Sequence, residues 1–437
     1  MVSSLALVFA FPVLAQANMP LQKAIEIALQ RNQDVRRVEL QVKQAESDLA
    51  VARSAVLPHL DFNASAGAYR VGPGRTFITG VPYEQQAEAS GGMYAFAIFA
   101  RQLVFDGGKW WNNLGSASAG LDASRQQADE QRLQIAFLVE QRFYELARAQ
   151  EHLNVITAAA SRSREQAQFA EQLARNARMS QADVLAARAN RDNDGINRHR
   201  QAAVAEQARL DLAQTMGLEP REPLVIGDAG PLLAQLPSIP SVQEAVSRGV
   251  AERPAIKAAE AQLEAQHKLA SALAGDYWPA ISLNGTYSRD VPVASRLFDD
   301  PSQSSILSAS VMLTWNFFNG LATKAQVDRA RIQAEIFASD LAAARRNVAI
   351  EVERALSGLT AAVESARLAG QSVQASTEGL QQARARLQSG SGSQFEERDA
   401  ELRLTQSQLV QVSALADARI ADAALRRAIG ARREGTR

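Results

Sequence analysis

The sequence carries one pattern twice, and this duplication restricts the possible folds more than any other feature. A shift of 221 residues aligns Leu21-Gln-Lys-Ala24-Ile with Val242-Gln-Glu-Ala245-Val. From Tyr94 onward the shift is 213 residues, and Phe105-Asp106-Gly107 aligns with Phe318-Asn319-Gly320. Because the shift changes once, one loop of the first copy is eight residues longer than its counterpart. Insertions collect in exposed loops, so we expect this loop at the surface.

Both copies predict the same order of elements: an Ala-rich helical segment (Leu21–Val56, then Val242–Asp276), two strands around a loop, and two long helices. In the first repeat, residues 18–230, we predict strands at about 57–70 and 93–106 and long helices at about 109–178 and 181–216. In the second repeat, residues 231–437, the predicted strands are about 279–290 and 305–318, and the long helices about 321–387 and 394–429. A link rich in proline and glycine, Glu219–Pro240, joins them.

The predicted strands alternate apolar and polar residues over an unusual length. Leu60-Asp-Phe-Asn-Ala64 begins one such run, and Leu307–Phe317 forms another. Each run has roughly 10–14 residues, which is enough to cross a membrane as a tilted strand. Four strands cannot close a barrel, and an open sheet edge is not tolerated in lipid. A membrane location therefore requires several copies of the chain, whereas a soluble sandwich is the alternative that the alternation alone leaves open.

The N-terminus has the features of an export signal. Residues 1–17 carry no charge, include an apolar stretch, and end in the small-residue pattern Ala15-Gln16-Ala17. This pattern predicts a secretory signal peptide that is cut after Ala17. The alternative is a buried N-terminal helix. Since no other segment approaches the ~20 apolar residues of a membrane helix, we expect that any entry into a membrane is made by strands.

The long helices predict coiled-coil packing. No proline occurs between Lys109 and Arg178, and a helix of roughly 70 residues would span about 100 Å. Apolar residues recur at spacings of three and four, as from Ile135 to Leu138 and Val139, and Gln, Arg and Glu dominate the positions between such groups. The other faces are polar, so such a helix lines solvent or a water-filled lumen. A soluble periplasmic coiled-coil scaffold or adaptor is the competing interpretation.

Composition argues against most other classes of protein. Lys plus Arg and Asp plus Glu both number 47, which leaves no basic surface for nucleic acid. Cysteine is absent, which excludes disulfides and thiolate metal sites. The four histidines (His59, His152, His199 and His267) are not in a metal-ligand spacing. No phosphate loop or nucleophile elbow occurs, so we expect neither an enzyme nor a cofactor.

The ordered set of these features resembles the TolC family of outer-membrane efflux and secretion channels. The resemblance rests on the following segments: Leu21–Leu29, Leu57-Pro58, Val104-Phe105-Asp106-Gly107-Gly108, Ser180–Ala187, and the twin glycines Gly217 and Gly430. It implies a mainly helical tandem repeat that assembles as a homotrimer. Three copies would form a 12-stranded β-barrel in the outer membrane of a Gram-negative bacterium and an α-helical barrel in the periplasm. The duct would be passive and would work with a periplasmic adaptor and a proton-driven or ABC inner-membrane pump.

The resemblance also implies the functional residues. Family members close at their helical tips, where acids three residues apart narrow the pore and bind cations; the matching residues here are Glu396 and Asp399, with Asp183 on the first tip. Three copies would crowd these carboxylates, which predicts raised pKa values. The alternative is solvated helix-surface acids. The residues expected to contact the adaptor are Asn176, Ala177, Arg178, Met179, Ser180, Ser389, Gly390, Ser391, Gly392 and Ser393. The tyrosine and arginine that lock some members are replaced by Leu387 and Gly392.

Overall fold

The computed structural model describes residues 18–72, 74–78, 81–85, 89–176, 179–299 and 304–431. The expected export signal at residues 1–17, and Ala177 and Arg178 of the first tip, lie outside them. The helices are α1 (Leu21–Arg31), α2 (Gln33–Ser54), α3 (Lys109–Arg175), α4 (Gln181–Met216), α5 (Ala229–Ala234), α6 (Val242–Glu252), α7 (Pro254–Ala274), α8 (Ala322–Gln388) and α9 (Gln394–Ile429). The strands are β1 (His59–Val71), β2 (Gly74–Ile78), β3 (Val81–Gln85), β4 (Ala89–Phe105), β5 (Ala280–Val291) and β6 (Ser305–Thr314).

The chain folds into two compact units, and each unit contains residues of both repeats. The strand unit consists of Lys43–Ala123 and Ala259–Asp340, and it contains every strand named above. The helical unit consists of the residues up to Val42, Ser124–Ala258, and the residues from Leu341 onward. The repeats are therefore not separate bodies, because corresponding parts of each fold together. No helix in the described ranges is long and apolar enough to cross a membrane.

The strand unit is built on an antiparallel sheet whose strand order is β1-β4-β5-β6. Its two hairpins have the same register: Leu60 lies opposite Ala100 in the first, and Ile281 lies opposite Leu313 in the second. These pairs are related by the same shifts of 221 and 213 residues that relate the repeats in the sequence. The duplication seen in the sequence is thus also a duplication of backbone pairing. Within the described residues, β1 and β6 form the two edges of this sheet.

The pairing gives the sheet one apolar face. Phe62, Ile98, Tyr287 and Leu307 lie in a row across the four strands, because each is paired with the next. Side chains of a strand alternate between faces, so their neighbours along each strand point to the opposite side. That side carries mainly small and polar residues, such as the neighbours Asp61, Thr286 and Ser308, together with Phe99. The alternation predicted from the sequence is confirmed.

Several strand ends differ from the prediction. β1 begins at His59 rather than near Leu57, because the Leu57 amide still donates to the Ser54 carbonyl at the end of α2 and Pro58 has no amide hydrogen. β4 begins at Ala89 rather than at residue 93, since Ala89 pairs with Val71. β6 ends at Thr314 rather than at residue 318, because its partner β5 begins at Ala280, opposite Thr314.

The helices also contain breaks that the sequence analysis missed. The leading segment divides at Asn32, whose side chain accepts a hydrogen bond from the Asp34 amide and starts α2. The corresponding segment divides at Arg253, directly before Pro254, in keeping with the restriction that proline places on the preceding residue. α3 ends at Arg175 rather than at residue 178. The long loop of the first repeat contains the β2–β3 hairpin.

The turns that lead from the sheet into α3 and α8 use left-handed backbone. Gly107 and Gly108 have φ values of 70° and 82°, and Gly320 and Leu321 have φ values of 66° and 68°. A residue with a Cβ atom disfavours this region by roughly 1–2 kcal/mol, so Leu321 holds a conformation that its counterpart Gly108 adopts without cost. The same turn therefore forms in both repeats although only the first has two glycines.

The helical unit contains an ionic network around Arg253, which is only 2% exposed. Its Nε and Nη2 atoms donate to the Glu130 carboxylate over 2.8 and 2.7 Å, and its Nη1 donates to the Arg427 carbonyl over 2.5 Å. Arg427 in turn pairs with Glu351 at 2.5 Å. The corresponding residue of the first repeat is the neutral Asn32, which donates to the Thr215 carbonyl over 2.9 Å. The equivalent helix breaks of the two repeats are therefore stabilised differently, by an ion pair at Arg253 and by neutral hydrogen bonds at Asn32.

Candidate functional site

The first helical tip is organised by a reciprocal cap at the start of α4. The Ser180 hydroxyl accepts from the Asp183 amide over 3.2 Å and donates to an Asp183 carboxylate oxygen over 2.7 Å. This arrangement resembles a capping box, and an acid in the first turn also interacts favourably with the helix dipole. Asp183 therefore has a structural role in its own protomer. Two other described residues of this tip are Asn176, whose amide donates to the Leu173 carbonyl, and Met179, which lies in the turn between α3 and α4.

The second tip, Ser389–Ser393, is a closely hydrogen-bonded turn. The amides of Ser391 and Gly392 both donate to the Arg386 carbonyl over 3.0 Å, which satisfies a carbonyl at the end of α8. Gly390 has a φ value of 76°, and Ser393 caps α9 by accepting from the Glu396 amide over 3.2 Å. The two tips thus share a serine cap that places an acid in the first turn of the following helix.

The two acids of the second tip, Glu396 and Asp399, each contact an arginine. Glu396 lies 3.5 Å from Arg386, and Asp399 lies 2.7 Å from Arg403. Both carboxylates remain 44% exposed, so they are accessible to solvent and ions. Because the arginines offset the negative charge, a cation at this site would have to compete with them. Neither arginine was predicted from the sequence, although Arg403 follows Asp399 by four residues, a spacing that brings two side chains together on a helix.

A buried polar cluster near the tips joins four long helices and was also missed. Glu401 on α9 is 3% exposed and accepts from Arg384 of α8 over 2.9 Å and from Gln166 of α3 over 2.8 Å. Arg398 of α9 donates to Asp194 of α4 over 2.9 Å. A buried carboxylate requires such partners, since leaving it unpaired is costly. The cluster therefore ties the helical pair of the first repeat to that of the second.

Two groups of the helical unit with shifted pKa values are Arg384, which belongs to this cluster, and His152, which lies elsewhere on α3. Burial lowers the pKa of the Arg384 guanidinium, but its hydrogen bonds to Glu401 and Glu397 outweigh this, so the pKa is raised. Burial lowers the pKa of His152, and its hydrogen bond to the Leu409 carbonyl opposes this change only in part. Among the residues that the structure describes, no group of three His, Asp or Glu side chains is placed to hold a metal ion.

Known proteins share this fold over nearly the whole chain. The CmeC outer membrane channel of Campylobacter jejuni has a TM-score of 0.78 at 17% identity, with 94% of this chain and 85% of that chain covered. The open state of the MtrE outer membrane channel of Neisseria gonorrhoeae has a TM-score of 0.76 at 22% identity, with 95% and 90% covered. Protein CyaE of Bordetella pertussis is 25% identical over 352 residues, or 79% of this chain and 70% of the relative.

A family model decides between the interpretations that the sequence left open. The model described as outer membrane efflux protein matches residues 24–218 and 245–431. These two matches cover most of the chain, and they confirm the resemblance to outer-membrane efflux channels. They place the protein in the outer membrane rather than among soluble periplasmic scaffolds. The chain belongs to the outer membrane efflux protein family.

Proposed function

We propose that this chain is one of three identical protomers of a passive export duct in the outer membrane. The observation that carries the proposal is the four-stranded sheet, which has one apolar face and a free edge on each side among the described residues. Backbone groups in lipid need hydrogen-bond partners, and the smallest outer-membrane barrels contain about eight strands. One copy is therefore too small to close a barrel, and the family resemblance favours three copies.

The duct needs partners that supply energy and direction. Members of this family export molecules, and the long helices α3, α4, α8 and α9 are mostly polar on their outer faces, as expected of helices that line solvent. We assign the contact with a periplasmic adaptor to the tips Asn176–Ser180 and Ser389–Ser393, and the energy to a proton-driven or ABC pump of the inner membrane. In this proposal the protein carries out no catalysis, and the side chains of the long helices form the wall of the channel through which the exported molecule passes.

Cell fractionation and conductance measurements test the proposal. We expect the protein to stay in the outer-membrane fraction after a high-salt wash, to require detergent for extraction, and to behave as a trimer in detergent. The purified protein should form ion-conducting pores in a planar lipid bilayer. Release by the salt wash, or a monomer that forms no pore, would contradict the assignment.

We further propose that Glu396 and Asp399 form a cation-binding constriction in the trimer. The two residues are three positions apart on α9, which places them on one side of the helix. Both are substantially exposed, and the salt bridges to Arg386 and Arg403 would moderate their affinity for cations. Asp183 joins this group only through its position at the first tip, since its carboxylate is engaged with Ser180.

Neutralising the two acids should relieve block of the pore by divalent cations. In the Glu396→Gln, Asp399→Asn double variant, we expect half-block to need about tenfold more cation, which corresponds to the loss of ~1.4 kcal/mol of binding. Single-channel recording over a series of Mg²⁺ concentrations measures this. The matched control is Glu364→Gln, since Glu364 is also an exposed helix acid paired with an arginine three residues away. Equal block in both variants would remove these acids from the constriction.

A further inference from the structure

The loop between β5 and β6 folds back over the apolar face of the sheet. A tight turn shapes it, in which the Asp299 amide donates to the Arg296 carbonyl over 3.4 Å. Phe298 of this loop stacks on Phe96 of β4, with ring centroids 6.2 Å apart and ring planes at 18°. Phe96 lies two residues before Ile98 on β4, so both side chains are on the apolar face. The loop is therefore attached to that face.

An arginine on the apolar face contacts the backbone of this loop. Arg289 of β5 lies opposite Phe96, which places its side chain on the same face of the sheet. Arg289 is only 4% exposed, and its Nη1 atom donates to the Asp299 carbonyl over 2.7 Å. Its counterpart in the first repeat is Ala68, so the pairing of the strands does not require a charge at this position. A charge that faces lipid is costly, and here the loop covers it.

The loop lies at the end of the sheet opposite the helix connections. In each hairpin of the sheet, the first strand follows a helix and the second strand leads into one, so these connections share one end. The long helices of the proposed duct extend into the periplasm, and the other end of the sheet is then at the outer surface of the membrane. Arg289 lies two residues before the end of β5. The loop is therefore at the level of the outer leaflet.

We propose that Phe298 anchors the loop in the lipid of the outer leaflet, and that Arg289 holds the loop against the lipid-facing side of the sheet. The inference rests on the proposed duct, because that function turns the apolar face toward lipid. Phe298 is 84% exposed in the single chain. It also extends a cluster of lipid-facing rings, since the Phe96 centroid lies 6.1 Å from that of Phe62 and 5.9 Å from that of Tyr287. Aromatic rings are enriched where acyl chains meet headgroups.

A second copy of the chain fits this surface less well than lipid does. Phe96 and Arg289 belong to β4 and β5, which are the two inner strands of the sheet. The strands of a barrel lie side by side, so a copy that joins at β1 or β6 leaves the outer side of β4 and β5 uncovered. The surface that carries Phe298 is thus continuous with the part of the sheet that the duct exposes to acyl chains.

Single cysteines test whether the loop meets lipid, and the chain offers a background without native cysteine. In the Phe298→Cys variant, the thiol carries a polarity-sensitive fluorophore. The full-length trimer is reconstituted into phosphatidylcholine vesicles, with or without phosphatidylcholine that bears a nitroxide near the headgroup end of its acyl chain. Leu307→Cys is the reference for lipid contact, and Ser308→Cys is the matched control, because these neighbours lie on opposite faces of β6.

We expect the nitroxide lipid to quench the label at position 298 within about twofold of the label at position 307, and at least about threefold more than the label at position 308. If position 307 is quenched and position 298 behaves like position 308, the loop does not meet lipid; the inference then fails and the duct stands. If position 307 is not quenched either, the apolar face does not meet lipid, and the proposed duct itself is contradicted.

A second substitution tests the role of the arginine. Arg289→Met nearly keeps the length of the side chain and removes its hydrogen-bond donors. Combined with Phe298→Cys, it should reduce quenching at position 298 by about half or more, because the loop loses its contact with β5. Combined with Leu307→Cys, it should leave quenching unchanged. Arg296→Met, which removes an exposed arginine of the same loop, is the matched control. Full quenching at position 298 with Arg289→Met would overturn the role assigned to the arginine.

Discussion

Replacing Arg253 with alanine is expected to lower the free energy of unfolding of the helical unit by about 4 kcal/mol. The substitution removes a two-pronged contact with Glu130 and a hydrogen bond to the Arg427 carbonyl, both in a place where the arginine is almost wholly excluded from water. It also leaves the Glu130 carboxylate without its nearest cation. Urea unfolding followed by circular dichroism at the helix band measures the change.

Two further variants show whether burial of the charge is the cause. Arg248→Ala removes an exposed arginine of α6, the helix that ends just before Arg253, whose salt bridge to Glu252 is 3.7 Å long, and it should change stability by less than about 0.5 kcal/mol. Asn32→Ala, at the equivalent break of the first repeat, loses hydrogen bonds of a neutral side chain and should cost about 1 kcal/mol. If Arg253→Ala resembled Arg248→Ala, the network would contribute no net stability.

Replacing Gly107 with alanine is expected to cost about 3 kcal/mol or more and to reduce the yield of folded protein sharply. Two effects act together. The backbone at this position is left-handed, and the new methyl group would overlap the Gly275 carbonyl oxygen at 2.4 Å and the Trp278 Cβ atom at 2.8 Å. The obstructing atoms are backbone and Cβ, so the overlap cannot be relieved by turning a side chain. Yield of detergent-extracted protein and its thermal unfolding report the effect.

Gly120→Ala is the matched control for this variant. Gly120 belongs to the strand unit and lies within α3, and a Cβ atom there would have no atom within 4 Å. Alanine favours helix over glycine by about 1 kcal/mol, so this variant should be neutral or slightly more stable. Wild-type yield and unfolding for Gly107→Ala would show that the turn can open without loss, and would refute the packing argument.

The repeat and the strand alternation were sufficient to predict the main elements, because both reflect spacing along the chain. The helices Gln181–Met216 and Gln394–Ile429 agree with the prediction at both ends, since a serine cap and a C-terminal glycine mark each of them. The β2–β3 hairpin was missed, although its strands flank Thr79-Gly80, a short glycine-containing stretch typical of hairpin turns.

Features that depend on distant partners could not be predicted in this way. Glu401 is polar and lies among other charges, so its local sequence indicates a solvated helix face. It is buried because Gln166, 235 residues earlier, reaches it from another helix. The end of β6 at Thr314 likewise depends on where β5 begins, and nothing in the apolar segment that follows signals a stop. Features of this kind can be predicted only when it is known which helices and strands pack against each other.

The free edges of β1 and β6 have a genetic consequence in the proposed ring. The joint is head-to-tail, so every subunit presents two different contact surfaces, and closure requires all six to be sound. A subunit with a damaged β6 still offers an intact β1, and it can therefore enter a ring that it prevents from closing. In a cell that makes both normal and damaged subunits, rings that contain a damaged subunit would be inactive. A defect in one of these strands would therefore be dominant over a normal copy of the gene.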